Sequence, residues 1–260
     1  MHRKVIYSKR AGVDACLKKN YGADAMKIKK LIPAVFTAIL LCAAVSEGAV
    51  REGSGAAAQG PERAAASLGA PEGAEVFLLV LTNGEEKNAT GELSVYVKEN
   101  GTFVEKLSGV PAKLGRGGVG KTKEGDQKTP LGTFFMDTPF GLKDAEAGFP
   151  AEYLKVDARY YWSGEKDATY NTLRNSTKDG KTYTGLSEHL SDYGGYYDYC
   201  INMGYNPSGT VGAGSALFLH CVVDGQNTGG CIAIPKEDMK TVLRLYKSGK
   251  TAITVRKKTL

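Results

Sequence analysis

Beyond residue 74 only one stretch of this chain has the periodicity of a helix. Residues 236–247 put Met239, Val242, Leu243 and Tyr246 on one face, with Pro235 just before and Gly249 just after. The other apolar segments are short and end at turn residues. Residues 76–81 form a continuous apolar run stopped by Asn83-Gly84. Leu93, Val95 and Val97 alternate with Ser94, Tyr96 and Lys98, and Asn100-Gly101 turns that strand into Thr102-Phe103-Val104. Further strand signals fall at residues 132–136, 153–156, 197–203, 215–223 and 251–255. This pattern predicts one domain over residues 74–260, mostly antiparallel strands with one late helix.

The segment before that domain is of another kind. Lys27, Lys29 and Lys30 precede residues 31–46, which carry no charge, and Ala43, Ala44 and Ser46 offer small residues for cleavage. That is the layout of an export signal; an uncleaved N-terminal membrane anchor over residues 1–46 is the alternative. Met26 would begin a more ordinary signal than Met1 does. Export places the protein in the periplasm or on the cell-wall side, with the N-terminal segment as the only expected membrane attachment. Residues 47–73 are rich in Ala, Gly and Glu without periodicity and read as a flexible linker.

The net charge of +6 suggests a nucleic-acid partner until it is located. Residues 1–44 hold nine Lys/Arg and two Asp/Glu, leaving 25 basic and 26 acidic residues for the rest of the chain. The folded part is near neutral and has no electrostatic footprint for DNA or RNA.

Beyond the export segment three cysteines remain, Cys200, Cys221 and Cys231. An odd count in an exported chain leaves one thiol free. Cys231 follows Thr228-Gly229-Gly230, and His220 ends the apolar run at residues 216–220. Glycines leave room for a substrate carbonyl to approach the sulfur, and an imidazole can activate a thiol. A core cysteine and a strand-end histidine are the alternative. Opposed residues around a turn near 210 have indices summing to about 420, so Cys200 and Cys221 are expected to be near neighbours, free or disulfide-bonded. No metal or cofactor is expected, because neither C-x-x-C nor H-x-x-x-H spacing occurs.

Residues 115–122, Gly-Arg-Gly-Gly-Val-Gly-Lys-Thr, match the nucleotide-binding P-loop pattern. That pattern works only where a helix begins at the Lys-Thr. Gly125, Pro130 and Gly132 would break such a helix. No nucleotide partner is expected, and the segment reads as a glycine-rich loop near the active site.

Residues 117–126 with 129–134, and 212–220 with 228–235, together resemble the L,D-transpeptidase (YkuD-type) catalytic domain. The resemblance covers about residues 75–258. It implies a mainly β sandwich or barrel of mixed strands with a few short helices and, here, a Tyr-rich insertion. It also implies a cysteine acyltransferase acting on peptidoglycan stem peptides. Cys231 would attack the carbonyl of the third, L-centred residue, usually a diamino acid, and expel the terminal D-alanine. The acyl group would then pass to an amine of a second stem peptide. His220 would be the base, the amides of Gly229, Gly230 and Cys231 the oxyanion hole, and Thr228 a support for the loop. Many family members carry Ser-His-Gly-Cys where this chain has Thr-Gly-Gly-Cys, and a longer spacing between histidine and cysteine. The alternatives are an L,D-carboxypeptidase or hydrolase acting on the same substrates, and a catalytically idle wall-binding domain.

Residues 157–199 hold Trp162 and eight tyrosines but few aliphatic residues. Such an insertion is suited to a lid or a binding wall. His189, Trp162, Tyr205 and Asn206 are the expected substrate contacts.

Overall fold

The structure is a computed structural model and describes residues 62–63, 65–84 and 86–259. The expected export segment, Cys16, Cys42 and most of the expected linker lie outside the described residues. Among the described residues no helix is long and apolar enough to cross a membrane.

In chain order the elements are β1 (Glu62–Arg63), α1 (Ala65–Leu68), β2 (Val76–Thr82), β3 (Thr90–Glu99), β4 (Thr102–Lys113), β5 (Gly132–Phe135) and β6 (Asp137–Gly141). β7 (Leu154–Lys155) follows, and the insertion contributes β8 (Tyr160–Trp162), β9 (Leu173–Asn175), α2 (Ser176–Asp179) and β10 (Glu188–His189). The chain ends with β11 (Cys200–Asn202), β12 (Phe218–Cys221), β13 (Ile232–Ile234), α3 (Lys236–Leu245) and β14 (Thr251–Lys257). The fold is mainly β, a curled sheet of mixed strands in the order β5-β14-β2-β3-β4-β13-β12-β11-β6-β7, with β1 beside β4. Within the insertion, β10, β8 and β9 form a separate three-stranded sheet.

β2 is apolar throughout because both of its faces are covered. Val76, Leu78 and Val80 enter the main core, whereas Phe77 and Leu79 enter a second cluster with Leu68, Tyr96, Phe103 and Ala252. Successive side chains of a strand point to opposite faces, so one six-residue run feeds two cores. The expected linker is therefore shorter than the sequence suggests. β1 pairs with β4, and Leu68 of α1 is buried over the outer face. A single leucine in an Ala/Gly-rich stretch gives no periodicity from which to read this.

The β3–β4 hairpin turns at Asn100 and Gly101, both at positive φ (48° and 89°), as a tight hairpin requires. β12 runs antiparallel to β11 and parallel to β13. The parallel register pairs His220 with Ala233 and Leu219 with Ile232. α3 lies against β12 and buries Met239, Val242 and Leu243.

The β11–β12 register has the expected index sum of 420 but pairs Cys200 with His220, not with Cys221. All three thiols are free. The sulfur of Cys221 instead points to the carbonyl of Tyr199 at 3.6 Å. An odd sum, such as 421, cannot be an opposed pair in a register whose sum is even.

Candidate active site

The loop between β12 and β13 is built around threonine hydroxyls. Thr228 Oγ1 donates to the Cys231 carbonyl at 2.7 Å and accepts from the Gly230 amide at 3.0 Å. Thr129, fully buried, donates to the same carbonyl at 3.2 Å and accepts from the Gly115 amide at 2.8 Å. The Thr-Pro-Leu-Gly segment thereby ties the glycine-rich loop to the residue carrying the thiol. Gly230 has φ 138°, and a Cβ there would meet the carbonyl oxygen of Lys128 at 2.9 Å. Only glycine fits.

That bond at Gly230 corrects one expectation. Its N–H is already donated to Thr228, so it is not free for an oxyanion. No described residue accepts from the amides of Gly229 and Cys231, and both residues line the cleft.

Cys231 is buried, and its sulfur has two partners. The Phe218 amide donates to Sγ at 3.4 Å, and Sγ donates to the Ala216 carbonyl at 3.3 Å. His220 faces the same cleft, because Cys231 and Ala233 share one face of β13 and the register puts His220 beside Ala233. No hydrogen bond joins the two side chains. His220 Nδ1 lies 2.9 Å from the carbonyl oxygen of Cys221. A carbonyl can only accept, so Nδ1 carries the proton and Nε2 keeps its lone pair. The ring packs edge-on against Tyr197 at 5.5 Å. Burial lowers the His220 pKa to about 4, against the opposing pull of the Cys221 carbonyl. Burial, and then the nearby Glu188 carboxylate, push the Cys231 thiol up to about 12. The resting pair is therefore neutral thiol and neutral imidazole.

These groups open into a cavity of about 390 Å³. The glycine-rich loop gives it Arg116, Lys121, Glu124 and Gly125, and the insertion gives it Glu188, Tyr193, Tyr196 and Tyr197. No helix begins at Lys121. Asp126 instead gathers the loop, accepting from the amides of Thr122, Lys123 and Lys128 and from Lys121 Nζ. Burial opposes its ionisation, but those four donors prevail and hold its pKa at about 2. Among the described residues no group of three or more His, Cys, Asp or Glu is placed to hold a metal ion.

The four expected substrate contacts lie outside the cleft. His189 is fixed between Asp192 (2.9 Å) and the Ala158 carbonyl (2.8 Å) and stacks on Tyr161. Trp162 is a core residue packed on Phe140 and Phe218, its N–H donated to Asn171 at 2.8 Å. Tyr205 donates to the Ala213 carbonyl, and Asn206 donates to the carbonyls of Thr210 and Gly214. These groups spend their polar atoms on holding loops. The residue that does reach the cleft is Glu188, next to His189, for which the sequence carries no signal beyond that neighbour.

A model of the L,D-transpeptidase catalytic domain matches residues 88–255 of this chain. The chain belongs to the L,D-transpeptidase catalytic-domain family. The matched span holds every cleft residue named above. Two solved structures are similar at low identity. Bd1075 of Bdellovibrio bacteriovorus is 16% identical over 70% of this chain and 48% of its own, with a TM-score of 0.36. The helical cell shape determining protein Pgp2 of Campylobacter jejuni is 18% identical over 72% of this chain and 49% of its own, with a TM-score of 0.39. The chain thus spans about half the length of the solved structures it matches. No curated protein matches. Within the family, this member presents its thiol from a Thr-Gly-Gly-Cys loop whose first residue closes the turn by two hydrogen bonds.

Proposed function

We propose that the protein is an exported L,D-transpeptidase acting on peptidoglycan stem peptides through an acyl-enzyme on Cys231. The observation that carries this reading is a single cavity shared by a thiol, an imidazole with a free Nε2 and the unengaged amides of Gly229 and Cys231. Sγ forms a bond to the donor carbonyl while its proton passes to His220 Nε2. The carbonyl electron pair moves onto oxygen, where the Gly229 and Cys231 amides stabilise it; a well-placed donor of this kind is worth about 3 kcal/mol. Collapse breaks the peptide bond, and His220 returns the proton to the departing amine. An acceptor amine then takes the acyl group. The neutral resting pair implies that proton transfer accompanies attack and does not precede it.

Arg116 supplies the positive end of the cleft. Its guanidinium lies beside Gly229, where an added Cβ would be 3.8 Å from Nη2, and no described carboxylate pairs with it. The terminal carboxylate of the leaving D-residue is its counterpart in this reading. The charge-free run at residues 31–46 after three lysines supports action outside the cytoplasm.

Incubation with a disaccharide-tetrapeptide and mass analysis of the products tests the reading. Cross-linked dimer supports transpeptidation. Tripeptide alone makes the protein a carboxypeptidase using the same acyl-enzyme. No product, with no adduct on Cys231, makes it a wall-binding domain.

A further inference from the structure

The chemistry above leaves Lys121, Glu124, Glu188 and Asp224 of the cleft unused, and Asp224 is already tied to Tyr196 Oη and the Gln226 amide. Glu188 lies on β10, whose register fixes it opposite Trp162 of the core. Its Oε2 accepts from Tyr197 Oη at 2.7 Å, and no described residue donates to Oε1. Burial raises its pKa to about 7, although the bond from Tyr197 pulls the other way.

The other charged groups of the cleft already have partners or stand elsewhere. Glu124 accepts from Tyr170, Ser215 and the Gly125 amide. Lys121 is held by Asp126 at 2.9 Å with both side chains buried, and Arg116 comes from the glycine-rich loop beside Gly229. Among the described residues no cation pairs with Glu188. Around it the wall is phenolic: Tyr193, Tyr196 and Tyr197 all line the cavity, and Tyr193 stacks on Tyr197 at 4.8 Å. A carboxylate set among aromatic rings repels anions and attracts organic cations, by charge and by the negative faces of the rings.

We propose that Glu188, positioned by Tyr197 and flanked by Tyr193, forms a subsite for a primary ammonium group of the peptide bound in the cleft. The proposal rests on the peptide-acyltransferase reading and adds to it what the cleft selects. Two sources carry such a group: the side-chain amine of the donor's third residue and the amine of the acceptor. Either has the same electrostatic consequence. A negative Glu188 opposes ionisation of Cys231, so an ammonium ion paired with it removes the opposing charge as substrate arrives. Recognition and thiol activation are thereby coupled.

The test uses the full chain, its Glu188→Gln variant and two tetrapeptide donors, one with a free side-chain amine and one with that amine acetylated. Glutamine keeps an acceptor for Tyr197; Glu188→Asp serves as the second variant should glutamine disturb folding. If the donor amine is the ligand, the wild type favours the free donor by about tenfold or more in kcat/KM, and Glu188→Gln consumes both donors alike. If the acceptor amine is the ligand, donor acetylation has no effect, but Glu188→Gln raises the acceptor KM by about tenfold or more. Equal slowing of both donors with an unchanged acceptor KM overturns the proposal. Should the wild type turn over neither donor, the acyltransferase reading fails by itself. Calorimetric titration of Cys231→Ala with the two donors and the free acceptor amine then decides the subsite. A preference for a free amine that Glu188→Gln abolishes supports it, and no such preference refutes it.

Discussion

The thiol of Cys231 is held by the carbonyl of Ala216, to which Sγ donates at 3.3 Å. Ala216 has φ 53°, a left-handed conformation unusual for a residue with a side chain, and its amide is tied to Asn171 Oδ1 at 3.1 Å. The backbone thus presents an acceptor that stabilises the protonated sulfur. To attack, the sulfur must give up this bond.

Alkylation should report that arrangement. Cys231 lines the cavity, whereas Cys200 and Cys221 are fully buried. Iodoacetamide is expected to label Cys231 first in the native protein. Because burial and Glu188 hold the thiol near a pKa of about 12, the rate should climb about tenfold per pH unit between pH 7 and 10. Peptide mapping by mass spectrometry after timed quenching reads both. A plateau below pH 9 would mean a pre-formed thiolate, and equal labelling of Cys200 would mean that the cleft is not the route to sulfur.

Stability against pH should show two opposing slopes. His220 is neutral in the fold down to about pH 4, while an unfolded histidine takes its proton near 6.5. The unfolded state therefore binds more protons in that window, and stability rises with pH by about 1.4 kcal/mol per unit. Glu188 keeps its proton up to about pH 7, whereas its unfolded value is 4.5, so between those values it makes stability fall with pH. Over pH 4.5–6.5 the two contributions largely cancel. Glu188→Gln should uncover the rising slope and His220→Gln the falling one in urea melts across that range. Parallel profiles in wild type and both variants would refute this assignment.

The strands that build the main sheet were legible because their side chains obey one rule over many residues. The run at 76–81, the alternation at 93–97 and the Asn100-Gly101 turn each announce themselves. β8, β9 and β10 are two or three residues long and carry Tyr, Trp, Arg and Glu, so no period can emerge from them. Cys231, His220 and Thr228 stood out through glycine and strand context. Glu188 did not, since glutamate is ordinarily solvated and only the tertiary fold shows that this one is walled by phenols. His189 drew attention as the rarer residue, but its ring spends both nitrogens on its own segment. The register sum of 420 held, but its parity opposes Cys200 to His220 and leaves Cys221 one residue along, on the other face of its strand.

The glycines of the loop at residues 115–120 should differ sharply in tolerance. A Cβ on Gly115 would collide with the carbonyl oxygen of Gln127 and approach both the Gly118 carbonyl oxygen and the Thr129 amide to 2.8 Å. All three are backbone atoms and cannot swing aside. Gly120, with φ 84°, has open space around it. Gly115→Ala is expected to cost about 3 kcal/mol or more, and Gly120→Ala about 1 kcal/mol from its backbone conformation alone. Comparable melting temperatures for the two variants would show that the loop does not hold Gly115 against Thr129 in solution.

Arg116 supplies the last expectation. It reaches the cleft from the glycine-rich loop and stands beside Gly229 with no described carboxylate as partner. A guanidinium there offers a fork of donors to a terminal carboxylate, which a peptide amide cannot match. Arg116→Gln should therefore raise KM for a tetrapeptide ending in a free carboxylate by about tenfold while leaving kcat nearly unchanged, because the contact is made in the ground state and transition state alike. The same peptide with a C-terminal amide should be turned over equally by wild type and variant. Arg116→Lys should recover only part of the loss, since an ammonium keeps the charge but not the fork. If instead the variant lowers kcat on both peptides equally, Arg116 acts on the loop or the oxyanion and not on the carboxylate of the leaving residue.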